Sequence, residues 1–410
     1  MRAVGLACVL LNQIVTTNIL IILLCFAVSV FATWAVYPLM FRFATRHRIE
    51  DYPAKRKLQQ HPIPVLGGVT IAVGMIIPLI ISTSSLHWYI SVWSFLFIFI
   101  MLIMGVVDDI RDLPVVLRFC LEMAVVGIFV CVDQTMIDSF HGLWGVTDLP
   151  LWVSIPLSII AGVGIINSIN MIDGIDGYSS GFCIMACLLF AVLFACVGEY
   201  ALCCLMVICI GTMIPFFLHN VFGSRTKMYI GDGGTLMLGA IMSCTIFCIL
   251  KSGSSVDMLQ DKGFSPVAFC LAVLCIPIFD TVRVMCSRIA RGVSPFTPDK
   301  THLHHLFLEL GFSHIGTATV LILTNLFIVF MWWVSYASGA SQEIQLYIVL
   351  ALGILSTFVF SMVVRKSIRR KNGFYRCMTR IGQRSHIENS LVWNALQRCM
   401  DGKNNITTDK

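Results

Sequence analysis

The segment Asn167 to Gly177 reads NSINMIDGIDG and follows directly on an apolar stretch, PLWVSIPLSIIAGVGII. Asn167, Asn170, Asp173 and Asp176 recur every third residue, so a helical turn through them would bring three or four oxygen-bearing side chains towards one face. Hard oxygen ligands of this kind suit Mg²⁺, which keeps several waters and binds one or two carboxylates together with substrate phosphates. A polar helix cap would account for one such residue but not for four. Gly174 and Gly177 permit a turn and close approach of backbone to a ligand.

Other clusters carry complementary chemistry. Asp108 and Asp109 stand side by side in GVVDDIRD, where a cation or a shared proton must offset their repulsion, and Arg111 is at hand to do so. MYIGDGG sets Asp232 in a glycine-rich turn open to phosphate or metal, with Asn220 upstream and Lys227 beside it. The stretch RVMCSRIARGVSPFTPDKTHLHHLFLELGF supplies Arg283, Arg288 and Arg291, cations suited to phosphate oxygens, and then His302, His304 and His305. These histidines lack partner cysteines or an HExxH spacing, so hydrogen bonds to a sugar or diphosphate fit them better than zinc. Arg56, Lys57 and His61 precede the glycine pair of HPIPVLGG, in a basic loop that also suits lipid headgroups.

The elements that must hold these groups are membrane spans. Hydrophobic residues make up 58% of the 410-residue chain and charged residues 12%, more apolar side chain than a soluble domain can hide. Eleven runs of about 20 apolar residues are expected to cross the bilayer as helices, centred near Cys25, Met75, Leu96, Val126, Pro156, Leu188, Ile208, Met242, Val273, Thr324 and Leu352. The run from Asn18 to Phe41 is too long for the apolar part of a signal peptide and reads as the first span. Most of the 17 cysteines lie inside these runs and behave as small hydrophobes.

The fold class expected is therefore an all-α polytopic membrane protein over 1–371, with a cytoplasmic tail over 372–410. All Lys and Arg except Arg2, Lys251 and Lys262 fall on one side of the eleven spans, which by the positive-inside rule puts the N-terminus in the periplasm and the C-terminus in the cytoplasm. The net charge of +6 is thus a topology signal and does not mark a nucleic-acid binder. Every cluster named above falls on the cytoplasmic side, in the segments 43–64, 108–114, 167–177, 219–233 and 283–313. Ion-coupled transport would instead place carboxylates near the middle of spans, where only Glu122 lies and Asp280 sits towards a cytoplasmic end. Carboxylates for one Mg²⁺, cations for phosphates and an adjoining bilayer match phosphoryl transfer from a soluble nucleotide-linked donor to a lipid acceptor.

NSINMIDGIDG, MYIGDGGTLMLG, GVVDDIRD, HPIPVLGG and above all the SPF-x-PD-x-x-H-x-HH signature resemble the polyprenyl-phosphate N-acetylhexosamine-1-phosphate transferases, from about the first span to the eleventh. The resemblance implies a eleven-span bacterial inner-membrane enzyme with a cytoplasmic active site, often a homodimer. It implies transfer of N-acetylglucosamine 1-phosphate from UDP-N-acetylglucosamine to undecaprenyl phosphate, with Mg²⁺ (or Mn²⁺), to initiate synthesis of an O-antigen or enterobacterial-common-antigen type of polysaccharide. Another UDP-N-acetylhexosamine is the alternative donor. By the same resemblance Asp232 and Asn170 would ligate the metal, and Asp108 or Asp109 would position or deprotonate the lipid phosphate. Asp173 and Asp176 would shape the nucleotide and metal pocket, Lys57 would meet phosphate, and Arg288 with His302, His304 and His305 would contact diphosphate and sugar. Two mild departures, GDGGT after Ile230 and Leu303 within the histidine motif, remove none of these groups.

Overall fold

The computed structural model describes residues 2–51, 61–86, 91–297, 299–388 and 390–402, with side chains from residue 15 onward. Lys57, expected to meet phosphate, lies outside the described residues. The chain begins with a long helix α1 (Arg2–His47), whose apolar span runs from Val15. A two-stranded antiparallel hairpin, β1 (Glu50–Asp51) and β2 (Ile63–Pro64), then leads into α2 (Gly67–Ser85). Six further helices follow: α3 (Val92–Arg111), α4 (Val115–Asp133), α5 (Leu151–Met171), α6 (Tyr178–Cys196), α7 (Tyr200–Phe222) and α8 (Gly231–Ile249). Ten helices among the described residues are long and apolar enough to cross a membrane, and one bent pair makes an eleventh, as the apolar runs predict.

The innermost helix is α8, packed by α2, α3, α5 and α6. Its residues from Gly231 to Ile249 are almost all buried, and glycines let its neighbours come close. A Cβ on Gly105 of α3 would strike the Asp232 carbonyl, one on Gly68 of α2 would strike the Gly234 backbone, and one on Gly239 would strike Ile166 of α5. Such approaches fix the rotation of α3 against α8 and so decide where Asp108 and Asp109 point. The start of α2 is stitched to the same place by backbone, because Gly67 N–H donates to the Tyr229 carbonyl at 2.9 Å and Gly68 N–H to that of Ile230 at 2.8 Å.

The ninth apolar run is not one straight helix. It splits at Leu274 into α9 (Pro266–Val273) and α10 (Cys275–Ala290), bent by 74°. Pro277 has no N–H for the Val273 carbonyl, and helices bend where that bond is missing. Freed backbone groups in an apolar interior need partners, and α12 (His314–Ala337) supplies them through one side chain. Asn325 accepts from Ile276 N–H at 2.9 Å and donates to the carbonyls of Val273 at 2.9 Å and Ala272 at 3.2 Å. The short helix α11 (Leu303–Glu309) precedes α12, and the last span runs through α13 (Gln342–Ile354), a π-helical turn and α14 (Phe360–Arg370). The chain then adds α15 (Gly373–Arg384) and α16 (Leu391–Asp401).

Candidate active site

The ends of α3, α4, α5 and α8 meet around Arg118, on the first turn of α4. Arg118 Nη1 lies 2.8 Å from Asp108 Oδ2 and 3.5 Å from Asp232 Oδ2, and its Nε lies 3.6 Å from Glu122 Oε1. One guanidinium therefore ties together three carboxylates from three helices, in an environment where each charge alone would be costly. Asp108 is held from its other side by Leu113 N–H, which donates to Oδ1 at 2.8 Å. Glu122 accepts a short hydrogen bond from Asn167 Nδ2.

Asp109, adjacent in sequence to Asp108, is turned to a different task. Its two oxygens accept from Asp232 N–H at 2.8 Å and Gly233 N–H at 3.0 Å, so it caps the amino end of α8 from a neighbouring helix. The positive φ of Gly231, 71°, belongs to this contact, and a Cβ there would meet the Asp109 carboxylate. The cap holds Asp232 on the first turn of α8, with its side chain 32% exposed and Asn170 beside it. Asn170 Oδ1 in turn accepts from Thr235 Oγ1 at 2.8 Å.

The three-residue spacing of NSINMIDGIDG continues as helix only through Asn167 and Asn170, because α5 ends at Met171. Asp173 and Asp176 sit in the turn that follows and point to separate partners. Asp173 accepts from Ser179 Oγ at 2.5 Å. Burial, and then the charges of Asp232, Asp109 and Asp176, push its carboxyl well above the usual range, so it holds a proton more readily than an ordinary aspartate. For Asp176 burial also pushes upward, but His314 and Lys227 outweigh it and hold the carboxyl below its usual value. Its Oδ2 lies 2.7 Å from both Lys227 Nζ and His314 Nδ1.

The histidine motif joins this turn at one point. His304 packs on Gly174, where a Cβ would collide with its ring, and meets Tyr178 edge-on at 6.5 Å. Burial, and then His305 and His302, keep His304 well below the ordinary imidazole range. Burial, His302 and Lys300 bring His305 down to about 4. His302 Nδ1 lies 3.0 Å from Asp280 Oδ2, and its buried Nε2 has no hydrogen-bond partner among the described residues. Asp280 also accepts from Leu303 N–H at 3.1 Å and pairs with Arg283 at 2.6 Å, so this intramembrane carboxylate organises the histidine loop.

Arg288 is turned into its own loop. Its Nη1 donates to the Pro295 carbonyl at 2.6 Å and its Nη2 to Asp299 at 2.9 Å, while Arg291 reaches the second Asp299 oxygen at 2.8 Å. The helix ends thus bring together Asp108, Asp109, Asp232, Asn170, Asp173 and, through Glu122, Asn167, with His304 against the same turn. Arg288 braces the adjoining loop. Arg118, Thr235, Ser179 and His314 belong to the site and escape a reading by acidic clusters. Arg118 had a signal, since an arginine four residues before the glutamate of an apolar run places both on one helix face.

Among the described residues no three His, Cys, Asp or Glu side chains form a ready-made metal cage. A cation that takes one or two carboxylates and fills its remaining positions with water and phosphate needs no such cage. The part-exposed Asp232 with the Asn170 side chain beside it is a donor set of that kind.

Residues 91–250, which span α3 to α8, match the family model described as glycosyl transferase family 4. The chain is 28% identical over 306 residues to a Bacillus subtilis (strain 168) protein named probable undecaprenyl-phosphate N-acetylglucosaminyl 1-phosphate transferase, covering 74% of this chain and 81% of that one. It is 26% identical over 339 residues to the undecaprenyl-phosphate alpha-N-acetylglucosaminyl 1-phosphate transferase of Escherichia coli (strain K12), with 80% and 86% covered. The Yersinia pestis protein of the same name is 26% identical over 354 residues, with 84% and 93% covered.

Proposed function

We infer that this chain is a polytopic membrane transferase of the glycosyl transferase family 4 type, moving N-acetylglucosamine 1-phosphate from UDP-N-acetylglucosamine to undecaprenyl phosphate. The observation that carries the reading is the knot of Asp108, Glu122 and Asp232 around Arg118 at the basic end of a helical membrane bundle, within the residues that match the family. The two carboxylates inside apolar runs also speak for it over transport. Glu122 is tied to Arg118 and Asn167, and Asp280 to His302, so both serve the same end of the bundle.

In the reaction an oxygen of the lipid phosphate attacks the β-phosphorus of the donor. The bond from that phosphorus to the oxygen bridging to the α-phosphate breaks, and UMP leaves. Asp232 and Asn170 would hold Mg²⁺ (or Mn²⁺), which when bound offsets the negative charge of the donor diphosphate. Arg118 holds Asp108 and Asp232 in place beside one another, and Asp232 is the more exposed of the two. Asp109 keeps the first turn of α8 rigid beneath Asp232. Asp173, whose burial makes it hold a proton more readily than an ordinary aspartate, would present less repulsion to an incoming diphosphate. Asp176, fixed between Lys227 and His314, would meet the nucleotide, and the loop carrying His302 and His304 would meet the sugar and diphosphate. The distribution of Lys and Arg supports a cytoplasmic site in a bacterial inner membrane. A homodimer, which the resemblance implies, would show as twice the protein mass in light scattering of the detergent-purified chain.

The test is to supply several UDP-N-acetylhexosamines with undecaprenyl phosphate and identify the lipid product. The expected outcome is N-acetylglucosaminyl diphospholipid with one UMP released per lipid. Asp232→Asn should fold and lose divalent-cation-dependent UMP release by about a hundredfold or more. Full activity in that variant would sink the metal assignment, and absence of any lipid product from the wild type would sink the reaction.

A further inference from the structure

We propose that α15 is an interfacial anchor, whose arginine row Arg376, Arg380 and Arg384 takes the phosphate groups of anionic phospholipids in the leaflet facing the candidate active site. The proposal rests on the chain's spanning a membrane and not on the reaction it catalyses. The last span ends at Arg370, and only Lys371 and Asn372 separate it from α15. Lys371 turns left-handed with φ 48°, and Asn372 Oδ1 caps the new helix by accepting from Tyr375 N–H at 3.0 Å. A helix restarted this close to a span end lies at the level of lipid headgroups.

The three arginines recur every fourth residue and therefore share one face. All three are exposed, and none forms an ion pair among the described residues. Like charges at this spacing destabilise a helix, so the row needs anions from outside the chain. Phe374 and Ile381 are exposed beside it, at 37% and 49%, and a soluble anion would give these apolar side chains nothing to meet. A headgroup layer satisfies both, phosphates for the arginines and acyl boundary for the apolar pair.

The opposite face of α15 is committed to the protein. Tyr375 and Met378 pack on the core, and Gly382 lies against Leu310 and Gly311. Ser313 N–H donates to Ser385 Oγ at 2.9 Å, and Ser313 Oγ donates to the Ser385 carbonyl at 2.8 Å. The next residue, His314, is the partner of Asp176 in the site. The anchor is thus joined to the site through two adjacent residues.

Hydrogen exchange of the 373–384 peptide tests this in the full-length protein, in nanodiscs of phosphatidylcholine alone or mixed with phosphatidylglycerol. Exchange should slow about tenfold when phosphatidylglycerol is present and recover at high salt. The triple variant R376Q/R380Q/R384Q should show no such response while α8 stays as protected as in the wild type. If that variant loses protection in α8, the single Arg380→Gln, with a partial response, takes its place. Equal exchange in both lipids, or an undiminished response in a folded variant, would overturn the proposal. So would slowing by polyprenyl phosphate in phosphatidylcholine discs with none by phosphatidylglycerol, since the row would then be an acceptor-lipid site.

Discussion

The residue that organises the site is a cation among acids. Removing Arg118 would leave Asp108, Glu122 and Asp232 to repel one another with little water to screen them, and losing one partner of a buried pair typically costs about 3–5 kcal/mol. Arg118→Gln is therefore expected to abolish UMP release and lower the thermal midpoint. Arg118→Lys, with one point charge in place of a fork, should recover folding but only a minor part of the activity. The histidines predict a pH effect of definite sign. His305 titrates at about 4 in the fold against about 6.5 in an unfolded chain, and His304 is shifted the same way. In that window the unfolded chain binds more protons, so their contribution to stability is complete above about pH 6.5 and falls as pH drops towards 4. Asp173, raised in the fold, works in the opposite direction: its contribution is complete below the usual aspartate range and is lost as pH rises from there. The comparison that isolates the histidine is His305→Asn, which should lose less of its thermal midpoint between pH 7 and pH 5 than the wild type does. At this scale the sequence is readable for composition but not for direction. It displays Asp108 and Asp109 as a pair, yet which one faces Arg118 and which caps α8 depends on the rotation that Gly105 allows.

Among the elements, the spans are legible because hydrophobicity over about 20 residues needs no tertiary information. The break in the ninth run is not, and proline does not betray it. Pro38, Pro78, Pro156 and Pro215 all sit inside continuous helices. What distinguishes Pro277 is a partner 48 positions later, Asn325, which takes up the backbone groups the bend releases. Asn325→Leu would leave a buried N–H and two carbonyls without that partner, at about 1–3 kcal/mol for each group left unsatisfied. A fall in thermal midpoint, with altered exchange of the 266–290 peptides and little change at α8, is the outcome that checks it. The end of α5 at Met171 was equally hidden, since a spacing of three suits a helix and a turn alike.

For the molecule as a whole, one end of the bundle gathers the helix termini that carry chemistry, and the other carries loops tied together by contacts of a different kind. Ser252 N–H donates to Asp138 at 2.5 Å and Ser252 Oγ to Asp148 at 3.0 Å, joining the segments after α4 and after α8. If the basic end faces the cytoplasm, an epitope inserted after Gly253 should be reached by antibody in intact spheroplasts. One inserted after Gly292 should be reached only after permeabilisation, and the reverse pattern would invert the topology. The Asn325 splice has a bearing on how this protein would be read by mutation. Asparagine carries a donor and an acceptor on one short branch, whereas aspartate lacks the donor, leucine lacks both and glutamine holds them farther out. A saturation scan would therefore score position 325 among the least forgiving in the chain, beside Asp232, although Asn325 makes its contacts to the backbone of a bent span. Intolerance there would report the joinery of the ninth span, and only a substrate-dependent assay would tell the two kinds of position apart.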